Sequence, residues 1–303
     1  MNLIGIIASS KFIEQLGSRG IFLGGNPGPG ENYFNVIQYI DITTTGNATD
    51  FGDLTAGKGF VGSCASETRG IAAGGYGLVV FTTNVIEYVT IATTGNGTDF
   101  GDLTTAKYYM SGCSNSTRGL FYGGGIQQID YITIATTGNA ADFGDLNNNS
   151  AAGMGSASST RAVISPGNTT TNVIDYVTIA TTGNATDFGD LTVSRYAGAA
   201  CGSPTRALFQ TGYNGAWPNV IDYVTIATTG NATDFGDVTE GRSSPGACST
   251  HTRGILGGGE NSGVFKNIID YVTIATTGNA TDFGDLLQAN TTLAGTSNGH
   301  GGL

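Results

Sequence analysis

The chain has 303 residues, of which 50 are Gly and only 6 are Pro, and its charged residues make up 12%. That charged share is about half the ordinary one, while Gly far exceeds its usual share of about 7%. A net charge of −11 with 12 Lys plus Arg excludes the basic footprint of a nucleic-acid binder and a polybasic membrane patch. No apolar run approaches the roughly 20 residues of a membrane span. The opening run Met1 to Ala8 is too short for a secretory signal and lacks its positive start. The expectation is a soluble protein made in a cytoplasm. Its Ile, Val, Phe and Tyr content speaks against disorder.

In chain order, residues 1–17 stand apart. Ile4 to Ser9 reads as an extra strand and Lys11 to Leu16 as a helical turn, a cap on the domain or a contact with another subunit. From residue 18 a single unit of 43 to 50 residues recurs six times, with starts near 18, 68, 117, 160, 205 and 252. Its first landmark is an Arg (Arg19, Arg69, Arg118, Arg161, Arg206, Arg253), followed six residues later by a Gly (Gly25, Gly75, Gly124, Gly167, Gly212, Gly259). Next come a Tyr (Tyr39, Tyr88, Tyr131, Tyr176, Tyr223, Tyr271) and, 12 residues on, a Phe (Phe51, Phe100, Phe143, Phe188, Phe235, Phe283).

Four strands per unit follow from this pattern. Strand A is the small-residue stretch before the Arg, as in Ala197 to Cys201. Strand B is the apolar run from the Arg to the Gly. Strand C is the alternating Ile-Asp-Tyr-Val-Thr-Ile segment, and strand D the Phe-Gly-Asp-Leu segment. Gly and Asn of the intervening Thr-Gly-Asn are expected to supply the positive φ of a tight turn. Four short antiparallel strands in 43 to 50 residues mark a propeller blade.

An apolar strand ending in Gly-Gly, then a Tyr, then an outer aromatic resembles the kelch repeat, with Phe where kelch usually carries Trp. The Tyr-Val-Thr-Ile-Ala-Thr-Thr-Gly-Asn-Ala-Thr-Asp-Phe-Gly-Asp-Leu block is similar to repeats of structural and tail-fibre-like proteins of marine bacteriophages. The fold expected is therefore all-β, a six-bladed kelch-like β-propeller with four-stranded antiparallel blades, occupying 18–303 as one domain. Leu293 to Asn298 matches strand A, yet no strand B follows it, and the first unit has no standard strand A. The segment 287–303 is thus expected to close the ring by completing blade 1, removing two exposed sheet edges.

Only the Arg-to-Tyr interval changes length, at 20, 19, 13, 15, 17 and 18 residues, and it holds the B–C connection. The D–A connection keeps its length but varies in content, through Ala56–Lys58, Thr105–Lys107, Asn147–Asn149, Val193–Arg195, Glu240–Arg242 and Gln288–Asn290. Both connections leave an antiparallel blade on the same side, so one face of the disc is variable and the other almost uniform. Loops on a rigid scaffold commonly bind. The ligand-binding candidates on that face are Tyr76, Phe81, Tyr108, Tyr109, Tyr196, Tyr213, Trp217 and Phe265. Drift of unconstrained loops is the competing reading.

Cys64, Cys113, Cys201 and Cys248 share one repeat position and read as small buried hydrophobes, not disulfides. His251 and His300 lack ligand spacing, so no transition-metal site is expected. The repeated acids (Asp50, Asp53 and Glu87, Asp130, Asp175, Asp222, Asp270 with their kin) read as structural, accepting from turn amides or pairing with the repeated Arg; a Ca²⁺ site is the alternative. The Asn-x-Thr triplets at Asn47, Asn96, Asn184, Asn231 and Asn279 read as turn chemistry, since Asn139 lacks the Thr. No cofactor and no catalysis are expected, because identical carboxylates around a ring do not make the unlike pair that acid–base work needs. The phage resemblance implies a virion-associated fibre or appendage protein whose partners are a host surface glycan or neighbouring virion proteins. A structural spacer, a secreted carbohydrate-binding propeller and a kelch-type enzyme are the other readings.

Overall fold

The computed structural model describes residues 18–28, 32–167 and 171–303, so the expected cap at 1–17 lies outside the described residues. Six four-stranded antiparallel sheets form the blades of a β-propeller. In blade 5, strands A to D are Ala199–Gly202, Arg206–Gln210, Val220–Thr225 and Thr233–Asp237. Strand A begins two residues later than the small-residue run suggests, because Ala197 has φ 53° and turns a corner.

Burial explains each strand's composition. Strand B, Arg-Ala-Leu-Phe-Gln in blade 5, is covered on both faces beyond its Arg, so its apolar run is continuous instead of alternating. The cores lie between blades, where Ile86, Phe100 and Leu103 of blade 2 meet Phe121, Ile132 and Ile134 of blade 3. Blades 6 and 1 meet the same way, through Ile255, Ile269 and Phe283 against Phe22, Ile40 and Ile42. Each such side chain contributes about 1.5–3 kcal/mol on full burial.

Ring closure falls where the repeat arithmetic puts it. Ala294–Ser297 pairs with Arg19–Leu23 as strand A of blade 1. The A–B turn continues across the chain ends: Arg19 N donates to Asn298 Oδ1 at 2.9 Å, as Arg69 N donates to Ser66 Oγ at 3.1 Å within blade 2.

The repeated residues bind blade to blade. Each Arg Nη1 donates to an Ile carbonyl of the following blade, Arg19 to Ile91, Arg69 to Ile134, Arg118 to Ile179, Arg161 to Ile226, Arg206 to Ile274 and Arg253 to Ile42. Its guanidinium also covers its own blade's Tyr ring, 4.5 Å from the Tyr39 centroid in blade 1. The expected pairing of this Arg with the repeated Asp is therefore corrected: the Arg fork is taken up by carbonyls and a ring face.

The Thr-Gly-Asn turn is corrected as well. The chain reverses at Asp41 to Thr44, where Thr44 N donates to Asp41 O. Gly46 to Ala48 is a leg laid along the outer strand of blade 6, through Gly46 N to Phe283 O and Ala48 N to Asp285 O. The Gly half of the expectation holds in four units, where Gly138, Gly183, Gly230 and Gly278 have φ of 153–158°, but no described Asn has positive φ. Instead the Asn side chain accepts from the neighbouring blade's Asp amide: Asp53 to Asn96, Asp102 to Asn139, Asp145 to Asn184, Asp190 to Asn231, Asp237 to Asn279 and Asp285 to Asn47. The crossing dictates the Gly of strand D, since a Cβ on Gly52 (φ 147°) would lie 2.5 Å from Gly95 O. That Gly follows a bulge, with Ile37 opposite Gly52 and Gln38 opposite Asp50. The extra residue, Phe51, packs edge-on against Tyr39 at 6.0 Å.

Candidate functional site

The B–C and D–A connections do meet on one face. Bridges join Asn26 to Thr291, Gly59 to Tyr76, Tyr196 to Tyr213 and Ser243 to Glu260, each pairing a B–C loop with a D–A loop. Between them, over the ring axis, opens a bowl of about 660 Å³, within the usual range of ligand sites.

Its floor is a repeat feature with no repeat sequence. Six residues of the D–A corner, Phe60, Tyr109, Ala152, Ala197, Ser244 and Thr292, all have φ between 53° and 59°. Their amides hand on around the axis: Phe60 N to Thr292 O, Thr292 N to Ser244 O, Ser244 N to Ala197 O, Ala197 N to Ala152 O and Ala152 N to Tyr109 O. Met110 N to Phe60 O completes the circle. A left-handed non-Gly residue costs on the order of 1 kcal/mol, and the closed hydrogen-bond ring holds all of them in place.

The sequence candidates divide over this bowl. Tyr109, Tyr196, Tyr213, Trp217 and Phe265 line it. Tyr213 meets Tyr196 at 5.8 Å and Trp217 at 5.1 Å, both edge to face. Tyr76 and Tyr108 do not line it; they form a second cluster with Tyr33 and Phe60, which backs Tyr109 through a Phe60–Tyr109 contact at 4.4 Å. Phe81 stands apart on a hairpin of blade 2 and is 65% exposed. Burial, with the Tyr108 and Tyr196 phenols beside it, pushes the Tyr109 hydroxyl up, so it stays a neutral donor and acceptor.

Several lining residues were outside the sequence reading: Phe60, Asn26, Ser244, Thr292 and, above all, Glu260. Glu260 is the only charged side chain among the described lining residues. It accepts from Trp217 Nε1 at 3.2 Å, Ser243 Oγ at 2.7 Å and Gly263 N at 2.9 Å. The signal for Phe60, Ser244 and Thr292 was their constant spacing, six residues beyond the strand D Leu or Val.

Beneath the rim, the D–A cations are not surface chemistry. Lys58–Glu87 (2.6 Å), Lys107–Asp130 (3.0 Å), Arg195–Asp222 (2.8 Å) and Arg242–Asp270 (2.8 Å) are buried ion pairs. Most acids before the repeated Tyr therefore hold loops to blades. In blade 1 both places are neutral, Gln38 and Asn290. Blade 4 keeps Asp175 but has Ser150 at the cation's place, and Asn147 donates to the carboxylate through N (3.1 Å) and Nδ2 (2.7 Å). Burial pushes the Asp175 carboxyl up, and the Asn147 bonds offset part of that.

Below the floor the axial channel narrows to spaces of about 50–80 Å³ lined mostly by strand A. Its far mouth is crossed by the C-terminal tail, a departure from sixfold symmetry on a face whose blade-to-blade bonds otherwise repeat, in keeping with the expectation of an almost uniform face. His300 Nε2 contacts Ala65 O at 2.9 Å, Gly302 N donates to His300 Nδ1 at 3.1 Å, and Gly301 N donates to Gly202 O at 3.1 Å. The Gly302 bond leaves Nε2 as the protonated nitrogen. The four cysteines are free and buried, and burial pushes the Cys113 and Cys201 thiols up to about 12.

Among the described residues no helix is long and apolar enough to cross a membrane. No protein-family model matches this chain, and no curated protein matches it.

Proposed function

We propose that this propeller is a non-catalytic binding protein whose bowl takes a glycan. The observation that carries this reading is the convergence of Tyr109, Tyr196, Tyr213, Trp217 and Phe265 on one open bowl of about 660 Å³. Aromatic rings pack on the C–H faces of sugars while keeping polar edges for hydroxyls. Ser243, Ser244, Thr291, Thr292 and Asn26 add donors and acceptors between them. The kelch-like and phage-like wording of the repeat supports a virion-associated role, in a fibre or appendage that meets a host surface. Glycan-array binding tests the reading: Trp217→Ala with Tyr213→Ala should abolish the signal, and unchanged binding would exclude the bowl.

A second reading, assembly onto a neighbouring virion protein, draws on Val79, Phe81 and Val264. These are 83%, 65% and 57% exposed on the hairpins of blades 2 and 6. Co-assembly that is lost in Val79→Ser/Phe81→Ser while glycan binding persists would favour it.

A further inference from the structure

Glu260 differs from the ion-paired acids beneath the rim in having no cation, and from the likewise unpaired Asp175 in lining the bowl. Glu87, Asp130, Asp222 and Asp270 each have a cationic partner, whereas Glu260 is held by three neutral donors. The cations of its own blade are engaged elsewhere: Arg242 with Asp270, Lys266 with Glu240 and Arg253 with Ile42 O. A carboxylate offers about four lone-pair sites. With most of them occupied, Glu260 has little hydrogen-bond capacity left for sugar hydroxyls. Its charge, however, is uncompensated, and a charge beside low-dielectric aromatic walls acts more strongly than one in water.

The walls next to it suit the same charge. Trp217, whose indole N–H is tied to Glu260, and Tyr213 beside it present π-systems that attract cations. The molecule uses this attraction in its own packing, with Arg guanidinium carbons 4.3–4.7 Å from the repeated Tyr centroids.

We propose that the ligand of this bowl carries a positively charged nitrogen, an ammonium or quaternary ammonium group, seated against Trp217 and Tyr213 with Glu260 as its counter-ion. This rests on the binding role proposed for the bowl, and it narrows the glycan to one bearing an amine or a choline-like substituent.

Trp217 is the chain's only tryptophan, so its fluorescence reports on the site directly, with calorimetry as an independent readout. The probes are choline against its uncharged isostere with carbon in place of nitrogen, and glucosamine against glucose, each to roughly 10 mM. The expected result is about ten-fold tighter binding of at least one cation than of its neutral counterpart. That preference should collapse in Glu260→Gln and persist in Tyr76→Phe, with unchanged circular dichroism in both. Preference for choline alone assigns a quaternary group, and preference for glucosamine an amino sugar. Equal binding of cation and neutral partner overturns the proposal, as does a preference that survives Glu260→Gln. If neutral glycans bind the array without any cation preference, the glycan reading stands and the counter-ion role fails. If neither glycans nor cations bind, both fail.

Discussion

The two rims of the ring solve the same problem, joining one blade to the next, in opposite ways. On the rim of the A–B and C–D turns, every interface uses the same bonds, Arg Nη1 to an Ile carbonyl and Asp amide to Asn Oδ1. On the rim of the B–C and D–A loops, the fastening differs from blade to blade: Lys–Glu, Lys–Asp and Arg–Asp pairs, a neutral Gln38 and Asn290, and a lone Asp175. The first rim is repeated because its partners are backbone atoms, which every blade offers in the same place. The second is free to vary because side chain pairs with side chain, and a change in one can be met by a change in the other. A binding surface can then diversify on that rim without loosening the ring.

The comparison breaks if the side-chain fastenings prove dispensable, and the largest effect tests this. Asp222→Asn leaves the buried Arg195 guanidinium without its counter-ion, so urea unfolding should show a loss of about 3–5 kcal/mol. A mutant within about 0.5 kcal/mol of the parent would mean that the pair is not what fastens blade 5. On the uniform rim, Arg118→Met removes a charged donor to Ile179 O and a cation over Tyr131, an expected loss of about 2 kcal/mol. The equivalent change in any other blade should cost a similar amount; widely different losses would show that the sequence repeat is not an energetic one.

The tail that crosses this rim should make stability depend on pH. Burial holds His300 down to about 4, against an ordinary value of 6.5. The unfolded chain thus takes up a proton before the folded one does. Stability present above the ordinary value is lost as pH falls toward 4, by about 2 kcal/mol since the ring keeps some solvent contact. In His300→Ala that part of the pH dependence should vanish, which parallel melts at pH 7 and 4.5 would reveal. Asn231→Ala orphans the exposed Asp190 amide and is expected to cost about 1 kcal/mol.

The smallest effect sharpens the contrast most. Asp175→Asn, chemically the same change as Asp222→Asn, should alter stability at pH 7 by less than about 1 kcal/mol, since no cation is left unpaired. Because burial raises the Asp175 carboxyl, its contribution is fully present below the ordinary carboxylate range and is lost as pH rises through the raised value. Any relative gain of the Asn variant should therefore appear at neutral pH and fade in acid. A large loss at pH 7 would show that the Asn147 bonds alone stabilise the charged form.

The blades were legible because their cause is periodic. Tyr39 to Phe51 and Arg19 to Gly25 recur at constant spacing, and spacing along a strand decides which face a side chain takes. The bowl was legible in part. Tyr109, Tyr196, Tyr213, Trp217 and Phe265 were recognisable as aromatics in variable loops, but nothing in the sequence separates them from Phe81, which takes the hairpin place of Val264, one residue off that of Phe265, and does not line the bowl. Glu260 was illegible because its role depends on Trp217, 43 residues away. The left-handed corner at Phe60 and Ala152 was hidden too, since residues without a turn preference occupy it and the amide ring compensates their strain.

The sequence by itself determined the repeat, the strands within it, the number of blades and the borrowed strand that shuts the ring, because these follow from periodicity and from counting. Tertiary structure alone decided which carboxylates are neutralised and which aromatics converge, and it turned the Asn of the Thr-Gly-Asn leg from a turn residue into a link between blades. The physical reason is that charge compensation and cavity walls depend on distances between residues on different blades, and those distances exist only once the ring has closed.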